Sequence, residues 1–336
     1  MPARREPPTA ARVAAIAAGL SVLLGASLLL AASLGAGRVS PLALLGSRPL
    51  GDVERTILLE VRLPRVLLAA LLGGALGLAG AVFQGLLRNP LADPYVLGVS
   101  GGASIGGVLA LLLGPLGTLS APLCAFAGAL GALVLIERVA TVDGRMTVYG
   151  LLLTGAIFNA FSASLIYFVQ SVASLQQLHA IVFYLMGHIP SFGLRTLGLL
   201  ALAIGAGALA LCAMSRDYNV LTLGEEGALQ LGVDVERVRR RTFVLGSLLT
   251  ALTVSVSGMI GFVGLVVPHM LRLLFGPDHR VLLPAAFLGG ASFLVLADLA
   301  ARLLVAPNEL PVGVVTALLG GPFFLVLLHR RGRHVG

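Results

Sequence analysis

The chain has 336 residues, of which 57% are hydrophobic and only 11% charged, with a formal net charge of +8 and a mean hydropathy of +0.99. A water-soluble domain carries about 25% charged residues, so an ordinary soluble fold is excluded. Apolar stretches of roughly 20 residues, without the alternation of a β-barrel, point instead to an all-α polytopic membrane protein, because helices satisfy their own backbone in lipid. All 23 basic side chains are arginine. Lacking lysine, the chain cannot build a Walker A phosphate loop or a Schiff base, so any ATP chemistry must sit on another chain.

Arg4, Arg5 and Arg12 precede an apolar run from Val13 to Leu34. At about 22 residues it exceeds the 7–15 of a signal-peptide core and reads as an uncleaved first helix. Ten spans follow the hydropathy: 13–35, 63–87, 95–113, 119–138, 147–169, 192–213, 242–258, 259–275, 281–303 and 311–329. They form a single transmembrane domain over 1–336. An even number puts both ends on one side, and that side collects 16 of the 23 arginines against 7 on the other. The positive-inside rule therefore predicts cytoplasmic termini. The net charge is thus a topology signal, and without an aromatic stacking platform no nucleic acid is expected. Segments 36–62 and 170–191 become outer loops, the second with a short helix around 174–186.

Cys124 and Cys212 fall in different apolar spans and read as buried structural thiols. Many of the 43 glycines lie inside spans, with Gly73 and Gly77, Gly98 and Gly102, and Gly102 and Gly106 four apart. That spacing lets helices approach closely in lipid. A faint internal echo relates Phe83-x-Gly85-Leu86 before Pro90 to Phe262-x-Gly264-Leu265 before Pro268, as in transporters built from repeats. Asn89-Pro90 and Asp93-Pro94 carry turn and cap chemistry.

Residues 215–241 are the one long polar island, with five arginines and five carboxylates. Within it, Gly224 to Gln230 makes about two helical turns, too short to span. Glu225 and Glu226 suit the positive end of that helix and Gly232 its exit. Leu223, Ala228, Leu229 and Leu231 offer a small apolar face. The segment 219–234 is either a solvated loop helix or a contact to a motor subunit.

Other candidates are scattered. Arg62, Arg65 and Arg302 fall on the outer side, where arginines orient acidic partners or snorkel to headgroups. Asp298 is the carboxylate most clearly inside a span; an i,i+4 ion pair with Arg302 is a simpler reading than a proton relay. The fifth span is unusually polar, with Thr154, Asn159, Ser162, Ser164 and Tyr167. His179 and His188 flank an outer stretch; imidazole could ligate a metal there, although interfacial packing is the commoner role.

Several stretches together resemble the permease subunits of bacterial ABC importers for iron chelates, haem and vitamin B12, the FecCD-type family. They are Arg62-Leu-Pro-Arg65; Gly80-Ala-Val-Phe-Gln-Gly through Asn89-Pro90, Asp93-Pro94 and Leu97 to Ala103; Tyr184-Leu-Met-Gly187; Leu223-Gly-Glu225 to Leu231-Gly-Val233; Gly258 through Pro268-His269 to Arg272; Asp278-His-Arg280; and Glu309-Leu-Pro311 to Phe324. The resemblance implies ten helices per subunit in a vitamin B12 permease-like fold, the type II importer architecture. It implies a homodimer in the lipid bilayer with the path between subunits, two ATP-binding subunits on the cytoplasmic side, and a periplasmic or lipid-anchored substrate-binding protein outside. It implies no cofactor or metal in this chain, with ATP and Mg on the partner, and no catalytic residue. By the same resemblance, Leu223, Gly224, Glu225, Glu226, Ala228, Leu231 and Gly232 couple to the ATPase, and Arg62, Arg65 and Arg302 dock the binding protein. The inner gate would lie at Thr147, Val148 and Tyr149, where the vitamin B12 importers of the family carry small hydroxyl residues and Val148 and Tyr149 depart, with Thr154, Asn159 and Ser162 lining the path. Iron–siderophore or haem is the expected cargo, vitamin B12 the alternative. An ion-coupled carrier would need paired intramembrane carboxylates or unwound ion sites, and Asp298 is the lone candidate.

Overall fold

The computed structural model describes residues 9–35, 51–114 and 120–332, with side chains to 325. Arg4, Arg5, Arg38, Arg48 and Arg333 of the charge count, and residues 36–50 of the expected first outer loop, lie outside the described residues. The described residues are all-α apart from one short hairpin. In order it forms α1 (Ala10–Ser33), α2 (Asp52–Leu86), α3 (Val99–Leu113), α4 (Ser120–Ala140), β1 (Thr141–Val142), β2 (Arg145–Met146), α5 (Val148–Val172) and α6 (Leu175–Leu185). Then come α7 (Leu194–Ala213), α8 (Ser215–Leu221), α9 (Glu225–Gln230), α10 (Val235–Ser257), α11 (Val263–Phe275), α12 (His279–Leu303) and α13 (Val312–Gly332).

Each of the ten expected spans contains a helix. Among the described residues, six of them, α1, α2, α4, α5, α7 and α12, are long and apolar enough to cross a membrane. α3 and α11 are apolar but have only 15 and 13 residues. At about 1.5 Å per residue the shorter covers roughly 20 Å of a ~30 Å hydrocarbon core, so its flanking turn must enter the bundle. α10 is diluted by arginine at its start and hydroxyls along its length. Those of Thr242, Thr250, Thr253 and Ser257 donate back to the carbonyl four residues earlier, which hides their polarity in the helix itself.

Two boundaries differ from expectation. The outer segment 52–62, expected as loop, is helical and runs unbroken into α2, with wide π-type turns over Ile57–Arg62. Leu58 there is buried against Ala32 of α1, and this tertiary contact is invisible to hydropathy. α10 begins at Val235, not 242, because the Asp234 carboxylate caps it by accepting from the Arg237 amide at 3.0 Å. Arg237 to Arg241 are therefore helical residues.

α2 is the buried centre and crosses α12 backbone to backbone. A methyl group at Gly73 or Gly77 would run into the carbonyl oxygens of Gly290 or Ala286. α3 crosses α4 in the same way, Gly102 and Gly106 lying on the backbone of Gly128 and Cys124. It is the Cys124 backbone that makes this contact; its thiol is exposed, contrary to the expected burial, and Cys212 is half-buried. The two echoing stretches meet: Gly80 of α2 lies on Gly264 of α11, and Gln84 Nε2 donates to the Leu265 carbonyl at 3.2 Å. Overpacked positions cost about 1–3 kcal/mol when the neighbour can move. At Gly80 the neighbour is the Gly264 backbone, so Gly80→Ala should lower the thermal midpoint in detergent by at least that equivalent. An unchanged midpoint would contradict the crossing.

The helices leave two faces. One carries the start of α1, where Arg12 donates to the Phe275 carbonyl at the end of α11, together with the β hairpin, α8, α9 and the α11–α12 turn. The opposite face carries the end of α1, the outer turns of α2, α6 and the α12–α13 loop.

Candidate coupling face and outer rim

The polar island folds as three pieces on the first face. α8 is fastened to the bundle. Tyr218 is buried and its hydroxyl lies 2.8 Å from Thr242 Oγ1. Asn219 donates to Asp278 Oδ1 at 2.8 Å and accepts from the His279 amide at 2.8 Å. Hydrogen bonds from Arg280, then from Asn219, pull the Asp278 carboxyl down to about 2, so it stays ionised as the cap of α12.

α9 follows. Gly224 enters it at φ 105°, a conformation open to glycine. Glu225 and Glu226 occupy its first turn. Ala228 is buried, whereas Leu223, Leu229 and Leu231 are 67%, 60% and 62% exposed. Three outward leucines on a two-turn surface helix form a small apolar contact patch. Leu231 caps the helix and Gly232 turns the chain at φ 80°.

The first turn of α10 closes the face. Arg239 is nearly buried; its Nη2 donates to Glu225 Oε1 at 2.6 Å and its Nη1 to the Met146 carbonyl at 2.5 Å and to Glu236 Oε2 at 3.3 Å. Glu236 Oε1 in turn accepts from the Met146 amide at 2.8 Å. Arg240 pairs with Glu137 at the end of α4. In the sequence these arginines read as topology signals, and the hairpin is a feature the hydropathy does not mark. Its two-residue Asp143-Gly144 turn, both residues at positive φ, is the signal that could have found it.

Met146 leads directly into α5. Thr147 is exposed and caps that helix, its Oγ1 accepting from the Gly150 amide at 3.0 Å. Val148 is half-buried and Tyr149 is 75% exposed. From Tyr149 an open stripe runs along α5 through Leu153, Ile157, Phe161, Phe168 and Val172. Of the expected path residues, Thr154 is half-buried. Asn159 donates to the Tyr95 carbonyl at 2.9 Å and lines an opening of about 390 Å³ with Asp93, Val96 and Phe262. Ser162 instead turns inward onto Gly101 of α3 and donates to the Phe158 carbonyl.

Tyr95 was not singled out from the sequence. Its hydroxyl donates to the Ile260 carbonyl and accepts from the Ile260 amide, each at 2.9 Å. It thereby satisfies the non-helical break between α10 and α11, where Phe262 takes φ 68°. Irregular backbone inside a membrane bundle is tolerated only with such partners. Tyr95→Phe should cost about 1–3 kcal/mol by orphaning both groups, measurable as a lower thermal midpoint.

On the opposite face Arg62, Arg65 and Arg302 converge, but differently from one another. Arg62 is buried and donates to the carbonyls of Ala32 and Ser33. Arg302 is also buried, donating to Ala31 and Leu34, and pairs with Asp298 at 3.0 Å. Four carbonyls ending α1 are thus capped by two arginines. Arg65 also binds Asp298, at 2.9 Å, and reaches Glu309 at 2.7 Å. Of the three it is the one with a partly exposed side chain, beside a half-exposed Glu309. Arg65, Glu309 and His188 lie on the wall of a cavity of about 520 Å³ with Phe183 and Tyr184. His179 packs on Phe183 at 4.5 Å between ring centroids. The Tyr184-to-Gly187 stretch is a structural hub: the Tyr184 hydroxyl donates to the Val254 carbonyl, and Gly187 accepts from the Gly313 amide.

Apolar spanning helices and a short surface helix flanked by outward leucines define a polytopic α-helical membrane protein. The chain belongs to the FecCD transport family, whose model matches residues 21–330. It is 46% identical over 287 residues to the ABC transporter permease YvrB of Bacillus subtilis, covering 82% of this chain and 80% of that one. It is 42% identical to a vitamin B12 import permease of Escherichia coli, covering 94% of each, and 40% identical to the hemin transport permease HmuU of Yersinia pestis, covering 90% and 93%. A solved metal-chelate-type ABC transporter in an inward-facing conformation superposes with a TM-score of 0.85 at 32% identity, over 94% of this chain and 99% of that one. The chain is accordingly a permease subunit that works with ATPase and substrate-binding partners, and ATP is hydrolysed on the ATPase.

Proposed function

We propose that this permease imports a metal chelate across the inner membrane as one half of a homodimer, with both termini cytoplasmic. The first reading of the cargo is an iron chelate, siderophore or haem; the second is cobalamin, favoured by the 42% identity to a vitamin B12 permease. The observation that carries the coupling role is α9, whose Leu223, Leu229 and Leu231 are exposed while Ala228 and Glu225 tie it to the bundle. Two ATP-binding subunits, carrying ATP and Mg, would receive these leucines. Their closure would displace Leu223 to Gly232 and alternate the opening of a path between the α5 stripes of two copies. Thr147 to Tyr149 would form the inner gate, with Thr154 and Asn159 beside the path. An apolar, weakly binding path leaves cargo choice to the substrate-binding protein.

On the outer face, docking would fall to Arg65 and Glu309, with Arg62 and Arg302 fixing the α1 and Asp298 framework beneath them. Arg65→Glu should weaken binding-protein affinity by roughly tenfold, mostly at low salt; unchanged affinity removes that assignment. The function as a whole is tested by ATP-dependent uptake into vesicles holding the assembled transporter, with haem, a ferric siderophore and cobalamin in parallel. Accumulation of one identifies the cargo, and failure of all three sinks the cargo class.

A further inference from the structure

Arg239 stands between the surface helix and the start of the path. Its guanidinium is a planar fork with the two arms in different hands. Nη2 holds Glu225, in the first turn of α9, and Nη1 holds the Met146 carbonyl. Met146 is gripped at both ends of its backbone, since its amide donates to Glu236 one turn earlier on α10. The next residue, Thr147, caps α5. Among the described residues, Glu225–Arg239 is the ion pair joining α9 to the membrane helices. A cavity of about 220 Å³ lies beside it, walled by Val148, Leu87, Arg88, Leu221 and Val235. The link therefore borders open space that Val148, at the head of α5, also lines.

We propose that Arg239 is the positioning residue that passes a displacement of α9 to the start of α5, with the β1–β2 hairpin moving as part of the same unit. This rests on the reading of α9 as the coupling element. A planar guanidinium holds two acceptors at a set separation, which a single ammonium cannot. Arg240–Glu137 fixes the end of α4 to the same turn of α10. The hairpin and the head of α5 are thereby bounded on each side by α10 contacts, and Arg239 is the one that also reaches α9.

The test uses the full transporter in vesicles, with Cys124 and Cys212 replaced by serine and spin labels placed in pairs across the two copies, at Gln230 on α9, beside the assigned leucines and not one of them, or at Val142 on the hairpin, both exposed. Distances are read with and without ATP, alongside uptake per ATP hydrolysed. In the parent transporter ATP should move both labels. In Arg239→Gln and Arg239→Lys the Gln230 label should still move while the Val142 label stays at its nucleotide-free distance, and uptake per ATP should fall by roughly tenfold. Glu225→Gln, a half-exposed carboxylate that leaves the Met146 grip intact, should show the same split if the arginine variants fail to fold. Parent-like motion of both labels with parent-like uptake in these variants overturns the relay. Loss of both motions together, or a shifted Val142 distance before ATP is added, overturns it in favour of a static brace. If ATP moves neither label in the parent transporter, the coupling role of α9 itself falls, and the relay with it.

Discussion

Asp298→Ala is expected to destabilise the permease by about 3–5 kcal/mol, the loss typical when one member of a buried ion cluster is removed. Asp298 is fully buried at the outer end of α12 and binds two arginines, Arg65 through Oδ1 and Arg302 through Oδ2. Alanine would leave two cations with their carboxylate gone in a poorly solvated site. Arg302 would lose the anchor that aims it at Ala31 and Leu34, so the end of α1 should loosen first. Asp298→Asn keeps one acceptor oxygen and should fall between wild type and alanine. Thermal unfolding in detergent measures the order, and a wild-type midpoint for Asp298→Ala would refute it. The same variants address a proton-relay role: a structural carboxylate predicts that wild-type uptake per ATP is independent of an imposed proton gradient and that the folded fraction of Asp298→Asn keeps the wild-type uptake per ATP.

Leu231→Arg should abolish productive contact with the ATPase while leaving the permease folded. Leu231 ends α9 and is 62% exposed, beside Leu223 and Leu229. Truncating a central apolar anchor commonly costs an interface about 2 kcal/mol or more, upward of roughly 30-fold in affinity, and a buried arginine would add desolvation. The expected result is normal expression and melting, lost copurification of the ATPase and uptake near background. Uptake at the wild-type level from a stably inserted variant would exclude α9 as the coupling element. Gly224→Arg should act in the same direction with an added backbone penalty, since Gly224 sits at φ 105°.

Much of this molecule was legible in its sequence because lipid imposes one rule on every span. Ten hydropathic stretches each contain a helix, the two-turn helix after Gly224 lies where its acidic start and glycine exit placed it, and Asp298 pairs with Arg302 as i,i+4 spacing suggested. The glycine pairs at 73/77 and 102/106 make the close crossings that their period implied. What escaped was tertiary. Residues 52–62 look polar enough for a loop, but Leu58 has a partner on α1. Arg62 and Arg302 read as surface charges, yet the open carbonyls at the end of α1 draw them inward. Cys124 lies in an apolar span, but its backbone is what faces the neighbouring helix. Arg239 is indistinguishable in the sequence from its neighbouring arginines; α9 brings Glu225 to it and the hairpin brings Met146, beside Glu236 one turn earlier on its own helix.

The self-bonded hydroxyls of α10 bear on how the chain is made. Read residue by residue during synthesis, this segment offers an insertion machinery four arginines and a run of serines and threonines, a weak case for membrane partition by itself. The arginines hold the first turns at the aqueous boundary, and α11, which follows after a five-residue break, is apolar. α10 and α11 are therefore expected to partition together as a helical hairpin, the later-made helix securing the earlier one. A nascent chain stopped after Ser257 should leave α10 outside the bilayer, whereas one extended past Phe275 should carry it in.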